Sequence, residues 1–297
     1  MRPATRAETP QRPAPRSVMN APRAISFDFG NTLCAVSDEA MRTVAFDAAE
    51  RIAARSGPFA LEDFVSAWRE EAGRQFALNM PLGRENDLGE RLVRVLARLR
   101  GMKPPPLPPL DADRGVERAF PTATWDDDAA ARLSSPDEVA AGVRDYGESF
   151  VACMPVDERV APLLSRLAGP YRLAILSNWP LAWAIDAIAE RAGWTPHLGT
   201  IVVSQRVGWI KPDRRMFEAA ALGLDVHLGE LLHVGDDWAA DIVGAKRAGA
   251  RAAYLDARPA TSPLPSSVPD GSVEADLLLR DLVDIEDFLP ALGGPGR

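Results

Sequence analysis

From Val160 to Leu279 short apolar runs alternate with helix-length amphipathic stretches, and no other feature restricts the fold of this chain as much. The runs are Tyr171–Leu176, Thr200–Val203, Glu230–Val234, Ala252–Leu255 and Ala275–Leu279, with Ala24–Phe27 far upstream as a further member. Strands joined by helices pair in parallel, because a parallel pair needs a long crossover connection that a helix supplies. The expected fold class is therefore α/β: a doubly wound, Rossmann-like parallel sheet covered by helices on both faces, without internal repeats.

All strands of such a sheet present their carboxyl ends at one edge, and ligands bind in the crevice outside that edge. Asp28, Gly30, Thr32, Ser177, Asn178, Lys211, Asp236, Asp237 and Asp241 all fall at or just past the ends of expected strands, so they should converge. Taken alone, Asp28 in Phe27-Asp-Phe-Gly-Asn-Thr32 reads equally well as an acid that caps a turn. Four acids brought together would repel one another unless a hard cation with oxygen ligands neutralised them, and Mg2+ suits that role. Lys211 would then face an anion, an arrangement suited to phosphoryl transfer, where catalysis is mostly positioning and charge neutralisation. Only three of the 34 basic residues are lysine, Lys103, Lys211 and Lys246; this reads either as a mark of places where a compact point charge is wanted or as codon bias.

Between the first strand and the alternating region the pattern is helical throughout. Met41, Val44, Ala45, Ala48 and Ile52 share one helical face. Leu61, Phe64, Val65, Trp68, Ala72 and Phe76 share a second, and Leu88, Leu92, Val95, Leu96 and Leu99 a third. A proline-rich hinge, Pro104 to Pro109, precedes helix starts at Thr124 and at Ser135, the latter with Pro136 and Glu138 in capping-box positions. The expected organisation is a disordered arm at 1–22, an α/β core at 23–35 and 158–290, a helical cap at 36–157 and a tail at 291–297. Met19 offers an alternative start that would remove most of the arm. The Trp and Phe stripes of the insertion read as core.

The formal net charge of -8 disfavours nucleic acid and anionic membrane as main partners. No apolar run is long enough to span a bilayer, and the N-terminus lacks the apolar middle of a secretory signal, so a cytoplasmic protein is expected. Cys34 and Cys153 have neither metal-ligand nor redox spacing and read as reduced and structural.

With these residues in place the chain resembles the haloacid dehalogenase superfamily of hydrolases. Asp28-Phe-Gly-Asn-Thr32 is similar to its first motif, Ser177-Asn178 to its second, Lys211-Pro-Asp213 to its third and Gly235-Asp236 through Asp241 to its fourth, with the helical cap inserted after the first; the likeness covers about residues 23 to 290. The resemblance implies a small phosphorylated metabolite as substrate and Mg2+ as cofactor. It makes Asp28 the nucleophile and a metal ligand, through an aspartyl-phosphate, with the carbonyl of Gly30 and the carboxylate of Asp236 as further ligands. It has Thr32 and Ser177 hydrogen-bonding the phosphoryl group, Lys211 neutralising Asp28 and the phosphate, and Asp241 orienting the metal shell through water. Asn178, as a phosphate contact, and Asp237, as a further metal ligand, serve equally well to fix loops.

One position departs from the pattern. Family phosphatases usually carry a second aspartate two residues after the nucleophile to protonate the leaving group; here that residue is Gly30. A general acid and base is worth on the order of 10² to 10⁴ in rate. A stand-in such as Asp237 or a cap carboxylate is expected, or a substrate whose leaving group needs little protonation. Within the fold a dehalogenase would need no metal, which Asp236 and Asp241 argue against. A phosphonatase would need a cap lysine, for which Lys103 before a proline run is a poor candidate. Outside enzymology the alternative is a phosphate-ligand binder without turnover. Trp179, Trp209 and Trp238, each near a motif, read as packing, with an aromatic substrate rim as the alternative.

Overall fold

The computed structural model describes residues 21–106 and 124–293. The expectations for the arm, for the proline hinge beyond residue 106 and for the end of the tail fall largely outside the described residues. Six parallel strands form one sheet in the order β3-β2-β1-β4-β5-β6. They are β1 (Ala24–Phe27), β2 (Arg172–Ser177), β3 (Thr200–Val203), β4 (Leu231–Gly235), β5 (Arg251–Leu255) and β6 (Leu277–Leu279).

The sheet is wound from its middle. The chain runs from β1 outward to β2 and β3, then returns to the other side of β1 to lay down β4, β5 and β6, so the direction of winding reverses between β1 and β4. Alternation along each strand sends side chains to two separate cores. Ile25, Phe27, Leu173, Ile175, Leu232 and Val234 pack on one face, whereas Ala24, Ala174, Leu176, Leu231 and Ala252 pack on the other. Every residue of β1 is buried, as expected for a central strand covered on both faces.

Helices between β1 and β2 are α1 (Asp38–Ser56), α2 (Leu61–Asn79), α3 (Leu88–Leu99), α4 (Asp127–Ala131), α5 (Pro136–Cys153) and α6 (Val160–Leu167). The first five form an insertion whose core holds Val44, Ala48, Ile52, Phe64, Leu92, Val95 and Phe150, as the periodicity predicts. The stripe on α2 divides: Phe64 and Trp68 are buried, while Val65, Ala72 and Phe76 are half-buried and line a cavity. The later helices are α7 (Ala182–Arg191), α8 (Ser204–Val207), α9 (Arg214–Gly223), α10 (Gly244–Ala248) and α11 (Ile285–Phe288), with one wide helical turn at Trp238–Val243. No helix among the described residues is long and apolar enough to cross a membrane.

Several boundaries move for identifiable reasons. Helix α4 starts at Asp127, after Thr124, because the Asp126 carboxylate caps it by accepting from Ala129 N at 2.9 Å. At α5 Ser135 accepts from Glu138 N at 3.1 Å as expected, and the Glu138 carboxylate also ion-pairs with Arg100. Helix α7 begins at Ala182, past Pro180, where its first amide donates to Gln205 Oε1 at 2.7 Å, a cap delivered from another element. Strand β6 starts at Leu277, because Asp276 spends its carboxylate on Ala252 N and Lys246 Nζ, each at 2.8 Å.

Candidate active site

The carboxyl ends of β1 and β4 bracket the reversal in winding, and both lead directly into acids. Asp28 follows β1, and its amide donates to Val234 O at 2.8 Å, which levels it with the end of β4 where Asp236 emerges. Asp28, Asp236 and Asp241 are buried and each offers an oxygen, all within 4.8 Å of one another. Asp241 reaches the cluster from the wide turn because Gly235 has no side chain: a Cβ there would lie 2.2 Å from Asp241 Oδ2.

Lys211 enters between the acids, nearly completely buried, with Nζ 2.6 Å from Asp28 Oδ1 and 2.7 Å from Asp241 Oδ1 and donating to Leu176 O at 2.8 Å. Burial opposes its charge, but the two carboxylates prevail and hold its pKa above the usual lysine range. Ser177 Oγ donates to the same Asp28 oxygen at 3.1 Å. Asn178 fixes the Lys211 backbone, accepting from its amide at 2.7 Å and donating to its carbonyl at 3.0 Å.

Asp241 carries a second support. A buried histidine loses its charge readily, and an ionised carboxylate only accepts, so His233 donates through Nε2 to Asp241 Oδ1 at 3.1 Å. Its Nδ1 accepts from Ser26 Oγ at 2.9 Å. Burial alone would raise Asp241, but Lys211 and then His233 reverse this and keep it ionised well below the usual range. Asp28 moves the other way, because burial outweighs the pull of Lys211. Asp236 is pushed up to about 8 by burial and by the charges of Asp28 and Asp241. Oxygen donors with this much unresolved repulsion fit a hard divalent cation.

One expectation needs correction. Asp237, placed with the possible metal ligands, points its carboxylate elsewhere: it accepts from Ala240 N at 2.7 Å, Ser267 Oγ at 2.7 Å and Ser267 N at 3.0 Å, and so caps a turn. Thr32, placed with the phosphate contacts, is buried, and its Oγ1 has no hydrogen-bond partner among the described residues. Of the three tryptophans only Trp179 lines that cavity. Trp209 is covered by Arg215 at 3.0 Å, and Trp238 packs on Tyr254 and donates to Asp270 Oδ1 at 3.1 Å.

Segment 258–272, which the sequence presents as a proline- and serine-rich connection, folds back over the acids. Arg258 Nη1 donates to Asp236 Oδ2 at 3.0 Å and to Pro265 O at 2.8 Å, and Nη2 donates to Leu264 O. Asn31, held at φ 59°, donates to Asp236 Oδ2 at 3.2 Å and to Ser262 Oγ at 3.0 Å. Leu264 occupies the space above Gly30, with Cδ1 2.7 Å from where a Cβ would stand. Sequence reading missed Arg258, Asn31 and His233. The first was findable by the rule that found the others, since Arg258 lies just beyond the carboxyl end of β5.

Between the sheet edge and the insertion lies a cavity of about 700 Å³, lined by Asp28, Gly30, Ser177, Lys211 and Asp236 below and by residues of α1, α2 and α3 above. That volume is within the usual range for small-molecule sites, roughly 300 to 1,000 Å³.

A doubly wound parallel sheet with a lysine among three buried acids at its switch point defines a Rossmann-like α/β core with an acidic site at its strand ends. A family model described as haloacid dehalogenase-like hydrolase matches residues 22–249, and the chain belongs to that family. It is 31% identical over 121 residues to haloacid dehalogenase-like hydrolase domain-containing protein 3 of Bos taurus, covering 41% of this chain and 42% of that protein. It is 29% identical over 124 residues to the 5-amino-6-(5-phospho-D-ribitylamino)uracil phosphatase YigB of Escherichia coli (strain K12), covering 41% and 50%. The matched stretch thus spans half or less of these curated relatives. Among solved structures the HAD-hydrolase YfnB of Bacillus subtilis gives a TM-score of 0.58 at 16% identity, over 91% of this chain and 99% of that one. The 2-haloacid dehalogenase of Pseudomonas syringae pv. Tomato DC3000 gives 0.57 at 18%, over 91% and 99%. At these identities the structural likeness concerns the fold.

Proposed function

We propose that the protein is a Mg2+-dependent hydrolase of a small phosphomonoester that becomes phosphorylated on Asp28. The observation that carries this reading is the seating of Asp28 Oδ1 against Lys211 Nζ and Ser177 Oγ, with Asp236 and Asp241 within ligand distance of the same point. Two anions do not approach each other without neutralisation, and this edge concentrates the means to neutralise them. Asp28, Asp236 and the carbonyl of Gly30 would hold the ion. Bound there, it would screen charge on the phosphoryl oxygens.

The chain's own residues divide the remaining work. An oxygen of Asp28 forms a bond to phosphorus as the bond to the leaving oxygen breaks, and the leaving oxygen takes up a proton. Water then adds to phosphorus, the bond to Asp28 breaks, and inorganic phosphate departs with the carboxylate restored. Lys211 holds one oxygen of Asp28 in place and faces the phosphoryl group, and Ser177 fixes its rotation. His233 and Asp241 keep Lys211 oriented from behind.

Gly30 supplies no proton, and Asp237 is committed to its turn. Glu85, from the insertion, lines the cavity, hydrogen-bonds Ser204 Oγ and accepts from Asn86 N at 2.8 Å; burial pushes its pKa up and favours the acid form. It is the stand-in acid of this reading. Residues 36–157 would act as the cap that closes over the substrate and keeps macromolecules out. The relative named as a phosphatase and the three-acid cluster both support phosphorus over carbon as the centre attacked.

The test is hydrolysis of para-nitrophenyl phosphate with Mg2+ and with EDTA. Turnover should need the ion and fall on the order of 10³-fold or more in Asp28→Asn. Turnover that survives either change would overturn the reading.

A further inference from the structure

Helix α3 carries three arginines along the side that faces the rest of the insertion. Arg94 is ion-paired with Asp127 at 2.9 Å and with Glu90, and Arg98 with Glu70 at 2.8 Å and Glu71 at 3.0 Å. Arg91 differs. It is 7% exposed, its Nε donates to Gln75 Oε1 at 2.9 Å, and its guanidinium carbon lies 5.2 Å from the centre of the Trp68 ring. No carboxylate among the described residues lies within ion-pair distance of it.

A guanidinium taken out of water without an anionic partner is costly, and such a group is normally paired. Here it is also held still. Gln75, 1% exposed, is pinned through Nε2 to Asp87 O at 2.7 Å, and Trp68 is backed by Tyr146 at 4.3 Å between ring centres. Burial pulls the Arg91 pKa below the usual arginine range, and Tyr146, Glu85, Glu71 and Asp87 offset only part of that pull. Arg91 lines the same cavity as Asp28 and Lys211, across an apolar stretch that includes Met41, Val65, Phe76 and Met80.

We infer that Arg91 receives a second oxyanion, a carboxylate at the end of the substrate remote from phosphorus, so that the preferred phosphoester has an apolar or ring-bearing middle and an acid at its far end. The inference rests on the phosphoester reading above and names the substrate class of that site. A fixed, planar guanidinium with its Nη atoms free matches a carboxylate two bonds at a time, which an ammonium would not. The face of Trp68 orients it, and the cavity walls accommodate the body between the two anions.

Calorimetric titration of 4-carboxyphenylphosphonate against phenylphosphonate, in Mg2+, tests this without turnover. The wild type should bind the carboxylated probe about tenfold tighter or better, the low end for a charge-assisted hydrogen bond. In Arg91→Met, which keeps a stem against Trp68, the ratio should fall to about one. Arg91→Lys, which keeps the charge and loses the fork, should give an intermediate ratio. A ratio near one in the wild type, no binding of either probe, or an unchanged ratio in folded Arg91→Met would overturn the inference. Selective binding without hydrolysis of phenyl phosphate would instead sink the hydrolytic reading and leave the Arg91 site standing.

Discussion

Arg258 Nη1 lies 3.0 Å from Asp236 Oδ2, so a guanidinium from the segment after β5 shares the acid that the proposed ion would use. Two cations would compete for one carboxylate, and the arginine is tied to the Leu264 and Pro265 carbonyls as well. Arg258→Gln should therefore bind Mg2+ about tenfold tighter, a coupling of roughly 1.4 kcal/mol, typical of partly buried charges. Titration calorimetry on wild type and variant would show it. Weaker binding in the variant would instead make Arg258 a support that holds Asp236 in its binding position.

Lys211 is the counter-ion of both Asp28 and Asp241, and all three are buried. Lys211→Met should destabilise the fold by about 3 to 5 kcal/mol, because two buried carboxylates lose their partner at once. Mg2+ should return part of that stability by neutralising the same oxygens. Urea unfolding of wild type and variant, each with EDTA and with Mg2+, gives the four numbers needed; equal loss in both conditions would place the ion elsewhere.

The absence of an acid at position 30 is matched by Leu264, which fills the space an aspartate would need. Gly30→Asp alone should lower stability and gain little activity, since the flexible end of Leu264 must move aside. Adding Leu264→Ala should release the new carboxylate and raise turnover of esters with poor leaving groups, toward the 10²- to 10⁴-fold worth of a general acid. Glu85→Gln should do the opposite in the wild-type background. Rates across phenyl and alkyl phosphates of graded leaving-group pKa would register both, and a flat response to Glu85→Gln removes Glu85 as the proton source.

Asp236 sits at about 8 in the folded chain against roughly 3.9 for an unfolded aspartate. Its contribution to stability in the metal-free protein is thus fully present below about pH 4 and is lost as pH rises to about 8, where the folded-state acid gives up its proton. Ion binding needs that proton gone, so the gain in Tm from Mg2+ should grow over the same interval. Thermal melts in EDTA and in Mg2+ at successive pH values should diverge toward pH 8. In Asp236→Asn the divergence should shrink, and a gain independent of pH would remove Asp236 from the set of ligands.

Local chemistry is written in the sequence, and it is there that reading along the chain succeeds. Strand-length apolar runs, alternation with helices and one parallel edge are consequences of periodicity, so Asp28, Ser177, Lys211, Asp236 and Asp241 could be placed together before any coordinates were known. The same reasoning located the helical insertion and the face of α3 that buries Leu92 and Val95.

What the sequence could not supply is which side chains meet when elements distant along the chain are packed. Asp237 has the composition of a ligand and is consumed by Ser267, 30 positions later. Leu264 belongs to a segment without periodicity, so nothing local tells that it folds back over Gly30. Arg91 looks like any helical arginine until its neighbours Arg94 and Arg98 are found paired and it is not. Periodicity fixes the direction a residue faces on its own element, but burial, partner and charge state are properties of the space between elements, and that space exists only once the chain has closed on itself.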